Sequence, residues 1–183
     1  MQKGTHTLGK SRLELVRGDI TKQDTEAVVN AANQQLAPGG GVAGAIHAAA
    51  GPELWEACKT LNGCRTGEAK MTKGYRLPAS YVIHTVGPIY SNAPSDPVDL
   101  AHCYKNSLKL ASEKHIRSIS FPSLSTGAFG YPVQQAAEVA LEAVFDYMEN
   151  NQDIQLVRFA LFSQKDFEAY KDALDKQTRS SRP

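Results

Sequence analysis

Short apolar runs of four to eight residues alternate along this chain with longer segments of helical spacing, and that alternation restricts it to an α/β fold. LELV (13–16) reads as a strand, and AVVNAAN as a short buried strand that leaves the core at Asn33. YVIHTVG (81–87), SISFPSL (118–124) and QLVRFALF (155–162) read as further strands, rich in β-branched and aromatic residues. Helical patterns cover 42–50, 53–61, 98–114, 133–150 and 165–176. Gly51 is placed to end the first of them and Pro52 to start the second. With no internal repeat or low-complexity block, the elements are expected to form a single central sheet with helices on both faces.

The chain of 183 residues, 42% hydrophobic and 21% charged, has the size and mixture of one globular domain with its own core. A formal net charge of +1 provides no general attraction to nucleic acid or membrane, so an anionic partner has to be met by a local site. Cys58, Cys64 and Cys103 are odd in number and lack CxxC or zinc-ligand spacing, which fits reduced thiols. The first twelve residues have no apolar core of a leader, and no run of about 18 apolar residues occurs, so a cytoplasmic protein is expected.

Two glycine-bearing segments, PGGGV (38–42) and STGAFG (125–130), each follow a strand and precede a helix. Glycine lets backbone approach a ligand closely, and successive N–H groups near a helix N-terminus form an anion site, so two such loops facing each other could clamp a diphosphate. Each is also compatible with a plain tight turn. Neither matches GxGxxG or GxxxxGK[ST], which argues against a nicotinamide dehydrogenase or a P-loop enzyme. Asp19, between a strand and Thr21, suits either a cap or a ligand contact. The asparagines of VVNAAN lie three apart, and spacing does not say which is structural. FPSLSTG is not a G-x-S-x-G elbow, and the five histidines include no H-E-x-x-H pair, so a serine triad and metal catalysis are both disfavoured.

GDIT, VVNAAN, GGGVAGAIHAAAG, TGEAKMTKGYRLPASYVIHTVGP and FPSLSTGAFGYP occur in the order found in macro domains, and this resemblance covers about 13–170. The segment 66–88 resembles the MacroD-type branch, whose members bind ADP-ribose and remove mono-ADP-ribose from acidic side chains or deacetylate O-acetyl-ADP-ribose. The resemblance implies a three-layer α/β/α sandwich with a central mixed sheet, spanning 13–176 between an N-terminal extension (1–12) and a frayed polar tail (177–183). It gives Asp19 and Ile20 to the adenine amine and Phe162 to stacking on adenine, the alternative for Phe162 being a core residue. It gives Gly40, Gly41 and Val42, with Ser125, Thr126, Gly127, Ala128 and Phe129, to the diphosphate. Asn33 would take the distal ribose with Phe129 beside it, and Asn30 would tie strands together in the core. No cofactor or metal is implied. The implied partners are ADP-ribose and mono-ADP-ribosylated proteins, bound by a monomer.

One position departs from the family pattern. Where active MacroD-type enzymes read GGGVDG this chain reads GGGVAG, so Ala43 stands in place of the aspartate that orients or activates the hydrolytic water. Loss of general-base assistance is worth about 10²–10⁴-fold in rate, so hydrolysis is expected to be slow, and a reader that binds without cutting is the alternative. His47 shares a helical face with Ala43 and could substitute as a base, though a packed helix histidine is the simpler expectation. Glu53 and Glu68 are expected at solvated positions.

Overall fold

A computed structural model of the chain describes residues 3–180. The strands are β1 (Lys3–Leu8), β2 (Ser11–Arg17), β3 (Ala27–Ala31), β4 (Ala69–Lys73), β5 (Tyr81–Thr85), β6 (Ser118–Phe121) and β7 (Leu156–Leu161). They form one sheet in the order β1-β2-β7-β6-β3-β5-β4. The central strands β2, β7, β6, β3 and β5 run parallel, and the edge strands β1 and β4 are antiparallel to their neighbours. The helices are α1 (Gly41–Ala50), α2 (Glu53–Lys59), α3 (Ser95–Glu113), α4 (Val133–Asn150) and α5 (Gln164–Ser180).

Strand periodicity separates two cores. Ala27 and Val29 of β3 face α3, α4 and α5, whereas Val28 faces α1 and α2. The larger core is centred on the rings of Tyr104, Phe121, Phe159 and Tyr170, whose neighbouring centroids lie 5.0–5.9 Å apart. The smaller packs Ile46, Ala50, Leu54 and Cys58 against the other face. The result is the expected three-layer α/β/α sandwich with a mixed sheet.

Four differences from expectation stand out. Of residues 1–12, read as an extension, Met1 and Gln2 lie outside the described residues and 3–12 supply β1 and the start of β2; β1 was not legible because none of its side chains is buried. The edge strand β4, AKMTK, carries lysines and only one buried side chain, so it gives no apolar run. Helix α3 begins at Ser95, with Pro97 inside its first turn, where a missing N–H costs nothing. Helix α5 runs through Ser180, and the rest of the tail lies outside the described residues.

A buried polar chain fixes β3, β5 and β4 against one another. Thr72 Oγ1 donates to the Lys73 carbonyl at 3.1 Å and lies 2.9 Å from His84 Nε2, so it accepts a proton from that nitrogen. His84 Nδ1 is then the acceptor for the Asn30 amide, 3.1 Å away. Asn30 is therefore the core tie expected of it, and His84 is neutral. Burial, with the charge of His47 a smaller cause, pushes the His84 pKa down to about 3.

The unfolded chain binds a proton at His84 below about pH 6.5 and the folded chain does so only near pH 3, so this group costs stability as pH falls between those values. The slope approaches about 1.4 kcal/mol per pH unit. His84→Gln, which keeps an acceptor for Asn30, is expected to give a urea-unfolding profile shallower by about that slope between about pH 6 and 4. An unchanged profile would contradict the neutral-histidine link.

Candidate functional site

Helix α1 follows β3 after the loop 32–40. A Cβ on Gly44 would lie 2.3 Å from the Gly39 carbonyl oxygen, so only glycine lets the incoming loop cross the helix at this point. The first helical bond runs from Gly44 N–H to the Gly40 carbonyl at 3.2 Å, and no side chain caps the helix. The N–H groups of Gly41, Val42 and Ala43 thus precede the ladder, at the positive end of the helix dipole. Nothing lies within 4 Å of a Cβ built on Gly40 or Gly41, so this backbone is open to a ligand.

Facing it is the loop after β6. Its turn is closed by Tyr131 N–H to the Ser125 carbonyl at 2.9 Å and Gly130 N–H to the Gly127 carbonyl at 3.0 Å, bonds in which the N–H groups of Thr126 through Phe129 take no part. Ser123 Oγ holds the loop, 2.8 Å from Thr126 Oγ1 and 2.9 Å from the Tyr170 hydroxyl on α5. Both walls line one cavity of about 290 Å³.

Of the residues singled out from sequence, Asn33, Gly40, Gly41, Val42, Ala43, Ser125, Gly127, Ala128 and Phe129 line this cavity, and Thr126, within the same loop, does not. Gly39, within the PGGGV segment, lines it too, while sequence reasoning missed Ala31, Ala32, Gly87 and Ser123. Gly87 could have been found, because TVGP follows a strand as the two glycine loops do. No side chain lining the cavity is titratable. Asn33 is half-buried, and its amide closes a loop by accepting from Ala37 N–H at 2.9 Å and donating to the Ala37 carbonyl at 2.9 Å. One amide hydrogen and one lone pair remain for a ligand.

Asp19, Ile20 and Phe162 do not line the cavity; they sit beyond it at the ends of β2 and β7. Those ends are adjacent, since Arg17 pairs with Leu161 and Gly18 N–H donates to the Leu161 carbonyl at 3.0 Å. Asp19 caps a 3-10 turn (Ile20–Lys22), its Oδ1 accepting from Thr21 N–H at 2.9 Å and Thr21 Oγ1 at 2.7 Å. These Thr21 bonds hold its carboxyl below the usual carboxylate range against the opposing effect of burial, and they leave Oδ2 out. Phe162 is 79% exposed, so it is not a core residue.

The possible substitutes for a missing base lie elsewhere. His47 is buried and meets Trp55 edge-on with ring centroids 6.5 Å apart, and burial pushes its pKa below the usual imidazole value. Glu53 and Glu68 are exposed and do not line the cavity.

The macro domain family profile matches residues 29–140. A macro domain-containing protein of Chlorobaculum tepidum is 53% identical over 88% of this chain and 95% of its own length. ADP-ribose glycohydrolase MACROD2 of Xenopus laevis is 50% identical over 90% of this chain, and MACROD1 of Bos taurus is 50% identical over 89%. The chain spans only 40% and 51% of those two proteins. Among solved structures, the Oceanobacillus iheyensis macrodomain with ADP superposes with a TM-score of 0.95 at 43% identity, covering 98% of each chain. The Trypanosoma brucei macrodomain in complex with ADP-ribose has a TM-score of 0.85 at 42% identity, covering 88% of this chain and 68% of that one.

Asn33→Ala removes both bonds to Ala37, whose N–H and carbonyl then depend on water. The expected cost is about 1–2 kcal/mol, read from the midpoint of urea unfolding. An unchanged midpoint would deny Asn33 its loop-closing role.

Proposed function

The chain belongs to the macro domain family, and we propose that its cleft binds ADP-ribose across the ends of the parallel strands. The observation that carries this reading is the pair of facing backbone walls, 41–43 and 126–129, whose unspent N–H groups suit a diphosphate of two adjacent negative charges. Adenine then lies at the β2 and β7 ends, its amine donating to Asp19 Oδ2 and its ring covering the exposed face of Phe162. The distal ribose reaches Asn33 and Phe129. The similarity to ADP-ribose glycohydrolases supports the same ligand.

Calorimetry tests the binding. ADP-ribose is expected to bind at one site per chain, and Phe162→Ala to weaken it by about 5- to 150-fold, the range for losing one stacked base, while leaving ribose 5-phosphate unaffected. A folded protein giving no heat with about 1 mM ADP-ribose would overturn the reading.

The chemistry proposed is hydrolysis of mono-ADP-ribose from modified proteins or of O-acetyl-ADP-ribose, slowed by Ala43. That residue is the third of α1, buried in the cavity wall, and the cavity offers no other carboxylate or imidazole. This absence also favours a second reading, a module that reads ADP-ribosylated partners without cutting them. Ala43→Asp would place an anion in the first turn, where the helix dipole favours it.

That variant is expected to raise single-turnover hydrolysis of a glutamate-ADP-ribosylated protein by about 10²–10⁴-fold with little change in ADP-ribose affinity, the signature of a group acting in the transition state. If neither form hydrolyses any ester-linked ADP-ribose although both bind the free ligand, the reader stands and the hydrolase falls.

A further inference from the structure

We propose that Ile89 is a contact for the polypeptide that carries ADP-ribose, and that it favours acceptors whose modified acidic residue has an apolar neighbour. The inference rests on the ADP-ribose reading above and adds the acceptor side of the substrate, leaving the nucleotide to the walls already described. In a modified protein the acceptor chain is joined to the terminal ribose, so it leaves the cleft at the end remote from adenine. A side chain standing beside that exit meets the acceptor.

Strand order locates the exit. Asp19 and Phe162 follow β2 and β7, whereas Asn33 follows β3 and Gly87 follows β5. Three strand spacings, about 14 Å, separate β7 from β5, so the β5 end is the one remote from adenine. Ile89 lies two residues past Gly87, and Tyr90 N–H donates to the carbonyl of Phe129, a residue of the cavity wall, at 2.8 Å. Bond geometry then puts the Ile89 Cα within about 5 Å of that carbonyl oxygen.

A lone exposed aliphatic side chain is ordinary on a protein surface, so exposure by itself assigns nothing. Ile89 differs in where and how it is held. It is 68% exposed, yet the residues around it are fixed. Pro88 is buried, and a side chain on Gly87 would overlap the Ser125 hydroxyl, so the loop after β5 starts pressed against the loop after β6. The Tyr90 ring packs on Tyr131 with centroids 4.8 Å apart, and buried Asp96 accepts through Oδ2 from Ser91 N–H at 2.9 Å and Ala93 N–H at 3.1 Å. Covering a side chain on backbone already ordered costs little conformational freedom. Phe162, 79% exposed, stands in the same way at the adenine end, so each end of the cleft carries one bare apolar side chain, one for the base and one for the acceptor.

Two glutamate-ADP-ribosylated peptides, with leucine or with serine on both sides of the modified residue, and free ADP-ribose test this on wild-type protein and Ile89→Ser. The position is exposed, so the substitution leaves the core intact, and affinities are read on mixing, before hydrolysis consumes the ester. Wild-type protein is expected to favour the leucine peptide by about three- to ten-fold, the range for covering about half of an aliphatic side chain. Ile89→Ser is expected to lose that preference, with free ADP-ribose changed less than about two-fold. Equal weakening of free ADP-ribose would place Ile89 on the nucleotide and overturn the inference. No preference in wild-type protein, or a preference that survives Ile89→Ser, would deny the acceptor contact and also overturn it. Wild-type protein binding neither peptide nor free ADP-ribose would remove the ADP-ribose reading and this inference with it, whereas binding of free ADP-ribose without the Ile89-dependent preference removes this inference alone.

Discussion

Five parallel strands end along one edge of the sheet, and the chain leaving each of them carries backbone groups that the sheet no longer satisfies. Parallel strands need crossover connections, so their carboxyl ends necessarily collect on the same side, where turns into helices expose N–H groups. The residues that follow β2, β7, β6, β3 and β5, namely Asp19, Phe162, Ser125, Asn33 and Gly87, all lie on this edge. The antiparallel edge strands β1 and β4 contribute none of them. The chain Asn30–His84–Thr72 fixes β3, β5 and β4 in register, and so fixes where Asn33 and Gly87 emerge.

The cavity at that edge is walled mostly by glycine, alanine and main chain. Its electrostatic character comes from aligned N–H dipoles and a helix N-terminus rather than from charged side chains, so nothing lining it titrates. Close packing preserves this arrangement. The Gly39 carbonyl occupies the volume a side chain on Gly44 would need, which holds the loop across the helix while leaving the helix start uncapped.

Holding a ligand and cutting it draw on different groups in such a site. Under the ADP-ribose reading the diphosphate is met by backbone, which substitutions leave largely in place, whereas the Ala43 methyl at the same helix start carries no group that can take up a proton. The wall that binds and the group that would catalyse are neighbours on one helical turn, yet they are separable. His47, one turn further along the same helix, meets Trp55 edge-on and does not line the cavity.

The alternation of apolar runs determined the α/β class, and the spacing of strand, glycine loop and helix determined that two backbone walls would exist; both follow from local periodicity and the φ freedom of glycine. Edge strands β1 and β4 escaped because partly buried strands carry no continuous apolar run. Tertiary structure alone decided the roles of individual side chains. Asn30 and Asn33 look alike in VVNAAN, but one lies inside β3 against His84 and the other two residues past its end. Phe162 follows four β7 residues of the 157–161 run that enter the core or its rim, and it is exposed because the strand stops at Leu161. Ser125 and Gly87 are 38 residues apart in sequence, as the numbering shows, and only the passage of β3 between β6 and β5 brings the hydroxyl of one into the space vacated by the other. Burial and contact between distant segments are properties of the packed chain, and no local pattern encodes them.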